Sequence, residues 1–207
     1  MAKLTKDGKN YQINKILYPR LSTIIESRPN PFLEKWRKKV GEEEAQRISK
    51  DAAEWGTKIH LMTAYSDLKK WKKMEVMIRD DETLLMPLLT WQEWVKEYIK
   101  EWIAIEVIVW SNKLIVAGKV DRIGIMRGDR KLSLHDLKTG SLWDEIGIRL
   151  YGYRLMWNER NRRKVERCIA IQLPRNDPGG LRVKEYNNGK YEKKFVELCE
   201  EYHLMRR

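Results

Sequence analysis

The chain of 207 residues carries 42 Lys and Arg against 30 Asp and Glu, a net charge of +12, with 42% apolar and 35% charged residues. This is length enough for one domain with a core, and the excess of positive charge favours a polyanionic partner, nucleic acid before an anionic membrane. Cys168 and Cys199 form no C-x-x-C pair, which excludes a zinc ribbon or a cysteine-ligated iron–sulfur cluster, and no apolar run is long enough to span a membrane.

The first six residues, Met-Ala-Lys-Leu-Thr-Lys, lack a signal peptide's apolar core, so a soluble cytoplasmic protein is expected. A short strand is expected between Tyr11 and Leu17, ended by Pro19. Pro31 suits the first position of a helix whose apolar face is Phe32, Leu33 and Trp36. From Glu42 to Lys73, Ala45, Ile48, Ala52, Trp55, Ile59 and Met62 recur at three- and four-residue steps, which predicts one long helix or two abutting ones. Gly56 falls inside it and marks either a junction or a close packing contact. Residues 80–88 read as a loop and Leu89 to Lys100 as a further helix.

The pattern then changes. Ile103 to Trp110 is apolar and β-branched around one acid, Glu106. Lys113 to Met126 and Lys131 to Leu137 complete a three-stranded meander. Leu142 to Asn158 returns to helix, with Ile146, Leu150, Tyr153 and Trp157 as its stripe. Strands are expected at 165–173 and 181–186, with a turn at 177–180 between them and a closing helix at 191–205. The fold class is therefore α/β (α+β): a sheet flanked by helices in a single domain, with residues 1–101 a mainly helical lobe and 102–207 the sheet core and closing helix.

Five acid-x-Lys triplets occur in the chain, so the triplet alone carries little information. Asp136-Leu-Lys138 differs by its setting. It ends an apolar strand, and Asp136 and Lys138 share one face because residues two apart do. Asp121 stands in the preceding strand after Gly118, and Glu106 one strand earlier. Three acids on three successive strands are costly to desolvate without a cation. Two readings stay open from pattern alone: a metal site, or structural ion pairs with Lys119, Arg122 or Lys138.

Gly118-Lys-Val-Asp121 followed by Asp136-Leu-Lys138-Thr-Gly140 resembles the PD-(D/E)xK nuclease superfamily, in particular its RecB-like and phage lambda-exonuclease-like branch. Gly56-Thr57-Lys-Ile-His60 is similar to that branch's upstream G-T-x-x-H motif, and Arg149-Leu-Tyr-Gly-Tyr153 stands where the branch carries Q-x-x-x-Y. The resemblance spans about residues 20–157 in matching order. It implies a restriction-endonuclease-like core with a central mixed sheet of αβββαβ order. It also implies a Mg2+- or Mn2+-dependent deoxyribonuclease, an exonuclease that also cuts single strands internally. Asp121 and Asp136, the Leu137 carbonyl and His60 would hold the metal. Lys138 would orient or deprotonate water, and Glu106 would contact the metal or its water shell. Arg149 and Tyr153, one turn apart, would meet the substrate, which is DNA as single strands or duplex ends. Arg149 in place of Gln cannot accept a hydrogen bond, but it can clamp a phosphate. A homo-oligomer is compatible with the sequence. The competing reading is a non-catalytic basic nucleic-acid-binding protein with buried structural ion pairs. RNA in place of DNA is a third.

Overall fold

The computed structural model describes residues 2–175, 177 and 180–206. The elements in chain order begin with β1 (Ala2–Leu4), β2 (Asn10–Ile13), β3 (Ile16–Pro19), α1 (Leu21–Ile25), α2 (Pro31–Val40), α3 (Glu42–Asp67), α4 (Trp71–Asp80) and α5 (Leu85–Tyr98). There follow β4 (Ile99–Ser111), β5 (Val116–Met126), β6 (Leu132–Lys138), α6 (Glu145–Arg160), β7 (Val165–Gln172), β8 (Arg182–Glu185) and α7 (Lys190–Leu204). No helix among the described residues is long and apolar enough to cross a membrane.

The strands β4 to β8 form one five-stranded sheet in sequence order. β4–β5, β5–β6 and β7–β8 are antiparallel, while β6 and β7 are parallel and joined through α6. A parallel pair needs such a crossover, and this one supplies the mixed sheet and the expected α-β-β-β-α-β order. Apolar side chains on alternate faces of the strands build two cores. On one face Val120, Ile123, Leu134 and Ala170 pack with Leu150 and Met156 of α6, Phe195 of α7 and Leu21 of α1. On the other, Leu137, Ile169 and Ile171 pack with Trp55, Ile59 and Met62 of α3 and with Leu88, Trp91 and Trp94 of α5. Leu134 and Leu137 thus lie in opposite layers, and Asp136 shares Leu134's side.

The N-terminal region differs from expectation. Residues 2–19 form a separate three-stranded antiparallel sheet rather than one short strand. The chain reverses at Asn14 and Lys15, whose φ angles are +50° and +68°, the signs that a tight two-residue hairpin needs. Tyr11, Ile13 and Tyr18 of this small sheet pack on Ala117 of β5. Pro31 opens α2 as expected, behind an Asn30 cap that accepts from the Leu33 N–H at 3.1 Å.

Helix α3 runs unbroken through Gly56 and ends at Asp67, with Lys69 at φ +54° before α4 begins. The expected loop over residues 80–88 is mostly helical: α4 runs to Asp80, a 3-10 turn follows, and α5 starts at Leu85. Pro87 misled the reading. It sits in the first turn of α5, where its missing N–H has no helical partner to lose. The turn expected at 177–180 lies partly outside the described residues.

Candidate active site

The β5–β6 ladder ends at the Arg122–His135 pair. Asp121 and Asp136, next in register, stand where the two strands part. Asp121 replaces the lost backbone pairing with its side chain: Oδ2 accepts from the Leu137 N–H at 2.8 Å. Both carboxylates are nearly enclosed, with Asp121 7% and Asp136 3% exposed. Asp136 and Lys138 share a strand face, and their side chains form an ion pair. Asp136 Oδ2 is buried and has no well-aligned hydrogen bond besides that pairing. Lys138 Nζ also donates to the Leu137 carbonyl at 3.2 Å.

His60 arrives from the helical side. It lies one turn beyond Gly56, where an ideal Cβ would stand 3.4 Å from the Thr139 hydroxyl, at the near edge of ordinary contact. Gly56 marks no helix junction, since α3 runs through it unbroken. From there His60 Nδ1 reaches to 3.4 Å from Asp121 Oδ1. Burial alone would push the Asp121 carboxyl up. The His60 imidazole, the Lys138 ammonium and the Leu137 N–H outweigh it and hold Asp121 well below the usual carboxylate range. Burial likewise opposes a charge on His60, but the Asp121 carboxylate beside it raises the imidazole pKa.

Glu106 sits in β4 between the paired residues Ile105–Arg122 and Val107–Val120. Its φ is +53°, a left-handed conformation that costs a non-glycine residue of order 1 kcal/mol or more. The carboxylate is ion-paired with Lys119 and accepts from Arg122 Nη1 at 3.2 Å. Of the ion pairs considered from sequence, those of Glu106 with Lys119 and Arg122 form, and Asp121 turns instead to His60 and the Leu137 N–H.

Ligand atoms of His60, Glu106 and Asp121 all lie within 4.8 Å of one another. An octahedral ion about 2.1 Å from each ligand would space them by roughly 3 to 4 Å, so the three fit one divalent cation with small side-chain shifts. The two carboxylates are donors that suit Mg2+ or Mn2+, and the imidazole also admits softer ions such as Zn2+ or Fe2+. Asp136 does not join that group. It lines one cavity with His60 and Asp121, paired with Lys138, whereas Glu106 lines a neighbouring hollow.

That cavity has a volume of about 230 Å³. His60, Asp121, Asp136, Lys138, Arg149 and Tyr153 all face it. Tyr11, Arg20 and Ser22, with Lys119, complete the wall. On the far side of His60 a second hollow opens toward Gly56, Thr57, Glu106 and Lys119. Arg149 stands 4.0 Å from Glu26 and is held in its charged form, since Tyr153, Asp136 and Glu26 outweigh the cost of burial. The Tyr153 hydroxyl is pushed far up by burial and stays protonated. His135 faces the other way, as alternation requires. Trp94 and Trp102 meet its ring edgewise at centroid distances of 5.9 and 5.2 Å, and burial pushes its pKa down to about 3. Trp55 is core, only 6% exposed, not a surface for stacking bases.

Sequence reasoning missed the contribution of Tyr11 of the N-terminal sheet to the cavity wall, because it lies about a hundred residues from the acids across the cavity. It also missed Thr63 and Asp67, which meet Arg122 beneath the site. A signal for these was present: His60, Thr63 and Asp67 are polar residues at helical spacing beside the apolar Ile59 and Met62.

No family model matches the chain, and no curated protein matches it. Among solved structures, SSO0001 is 14% identical at a TM-score of 0.44, the match covering 90% of this chain and 74% of that one. A Eubacterium rectale protein provisionally named an exonuclease is 12% identical at a TM-score of 0.42, with 69% of this chain and 64% of that one covered. Both likenesses are low, and neither bears on the chemistry of the site.

Proposed function

We propose that this chain is a divalent-metal-dependent deoxyribonuclease that hydrolyses phosphodiester bonds, acting as an exonuclease and also cutting single strands internally. The observation that carries the reading is the convergence of His60, Asp121, Asp136, Lys138 and Arg149 on one small polar cavity. The net charge of +12 fits a polyanionic substrate, and the motif resemblance points the same way.

In this reading His60, Asp121 and Glu106 hold Mg2+ or Mn2+, with Asp136 and the Leu137 carbonyl beside them. Such an ion, when bound, lowers the pKa of water and stabilises charge on a phosphate. The protein's own groups do the rest. The Asp121 carboxylate stays ionised and oriented by the Leu137 N–H. Lys138 neutralises Asp136 and presents an ammonium where the scissile phosphate would lie. Arg149, always charged, offers a planar pair of N–H donors to a neighbouring phosphate.

A specific observation favours a second reading. Glu106 is already neutralised by Lys119 and Arg122, as in a binding protein with structural ion pairs and no catalysis. One experiment separates the two. Labelled linear duplex, linear single-stranded and circular single-stranded DNA are incubated with the protein in Mg2+, Mn2+ or EDTA. The expected result is cleavage with either metal, none in EDTA, and none with Asp136→Ala or Lys138→Ala. DNA binding without cleavage under both metals would overturn the nuclease reading, and an uncut circle would restrict it to ends.

A further inference from the structure

Beneath the cavity lies a buried cluster that the chemistry above does not use. Arg122 and Asp67 have side chains only 2% and 3% exposed. Arg122 Nε donates to Asp67 Oδ2 at 2.6 Å, and Nη2 to Thr63 Oγ1 at 3.2 Å. The other arm, Nη1, donates to the Asp121 carbonyl at 2.8 Å and to Glu106 Oε1 at 3.2 Å. Trp91 closes the far side, giving its indole N–H to Asp67 Oδ1 at 3.0 Å. One guanidinium therefore ties three elements: helix α3 through Thr63 and Asp67, β4 through Glu106, and β5 through the backbone of Asp121 itself.

We infer that Arg122 is a positioning residue that sets the separation of His60 from Asp121 and Glu106, and so the affinity of the site for a divalent cation; this rests on the metal-dependent reading above. Thr63 and Asp67 follow His60 by three and seven residues, on one face of α3. Apart from the contact of His60 with Asp121, whose separation is the quantity at issue, the contact of α3 with the sheet is through the apolar Trp55, Ile59 and Met62. Apolar contact is non-directional and tolerates sliding and rotation. The fork of Arg122 does not, since its donors are fixed in one plane. A buried ion pair adds little net stability over an apolar pair of similar size, so its consequence here is geometric. Glu106, strained at φ +53°, is held toward the site by the same arm. Lysine cannot replace this fork, because an ammonium is a point charge and cannot reach three elements at once.

The test measures Mn2+ binding to the full chain by titration calorimetry, alongside the melting temperature. Arg122→Lys and the paired variant Arg122→Met with Asp67→Leu, which removes both partners of the buried ion pair, are each compared with wild type. Thr63→Val removes one acceptor of the fork with little change of shape and covers the case in which the paired variant does not fold. The expected result is Mn2+ binding weakened about tenfold or more by the first two and about two- to threefold by Thr63→Val, with the paired variant folded but melting below wild type because the Trp91 indole N–H loses its acceptor. Wild-type Mn2+ affinity in Arg122→Lys or in the folded paired variant overturns the positioning role and leaves the nuclease reading intact. In the unfolded case, wild-type affinity in Thr63→Val overturns it. A wild-type chain that binds no Mn2+ overturns the metal-dependent reading and this inference with it.

Discussion

A side chain on Gly118 would lie 2.5 Å from Cε1 of Tyr153, so the tyrosine ring rests directly on the backbone of the strand that carries Asp121. The next residue, Leu21, has its Cβ 3.5 Å from the same point, an ordinary contact, so any relief has to come from the ring moving toward the cavity it lines. Gly118→Ala is therefore expected to cost about 1–3 kcal/mol, the usual penalty for overpacking. Thermal denaturation should show a melting temperature lower by about 3–10 °C. Cleavage should fall with it, because the displaced ring shares the cavity wall with Arg149.

Metal binding should register as stability. A cation that binds the folded chain alone adds about 2.7 kcal/mol at a hundred times its dissociation constant. Mn2+ should then raise the wild-type melting temperature by about 5–10 °C at that concentration. Asp121→Asn should abolish the rise, since the amide can still accept from the Leu137 N–H but brings no charge to the group formed with His60 and Glu106. Excess EDTA should return the wild type to its metal-free melting temperature.

Arg149→Gln tests the phosphate clamp. If Arg149 neutralises one DNA phosphate, the plot of log binding constant against log salt should become shallower by roughly 0.7–0.9. Affinity should weaken at low salt for every sequence alike. A slope unchanged from wild type would assign Arg149 to its contact with Glu26 alone.

Alkaline pH should expose the two thiols. Burial pushes Cys168 and Cys199 each up to about 12 from an ordinary 9.0. The folded state keeps both protons after the unfolded chain has lost them. Their contribution is fully present below pH 9 and is lost as pH rises from 9 toward 12. At pH 10 the loss should total about 3 kcal/mol for the pair relative to pH 7. Urea unfolding at both pH values should show at least this difference in wild type, and the Cys168→Ala, Cys199→Ala double variant should keep only the smaller part due to buried tyrosines such as Tyr153 and Tyr186.

The sequence by itself determined the order of the central elements from β4 to α7 and marked His60, Asp121, Asp136 and Lys138 as candidates. Alternation in β4, β5 and β6 places Asp136 and Lys138 on one face and sends His135 to the other, which is local geometry and needs no tertiary information. The three-and-four spacing of Ala45 to Met62 likewise carries helix α3 through Gly56. Where local signals have two meanings, the reading failed. Pro87 can end a loop or open a helix, and Asn14-Lys15 can sit in a strand or reverse it.

Tertiary structure alone decided how charges are partnered. From the chain, Glu106 and Asp121 were equally able to pair with Arg122, Lys119 or a metal. Packing of α3 against the sheet gives Arg122 to Asp67 and Glu106, and His60 to Asp121. The N-terminal sheet adds Tyr11 to the cavity, a residue that no motif marks. The reason is physical. Secondary structure follows from side-chain periodicity within a few residues, whereas a buried charge settles with whichever partners the packed elements bring within about 3 Å.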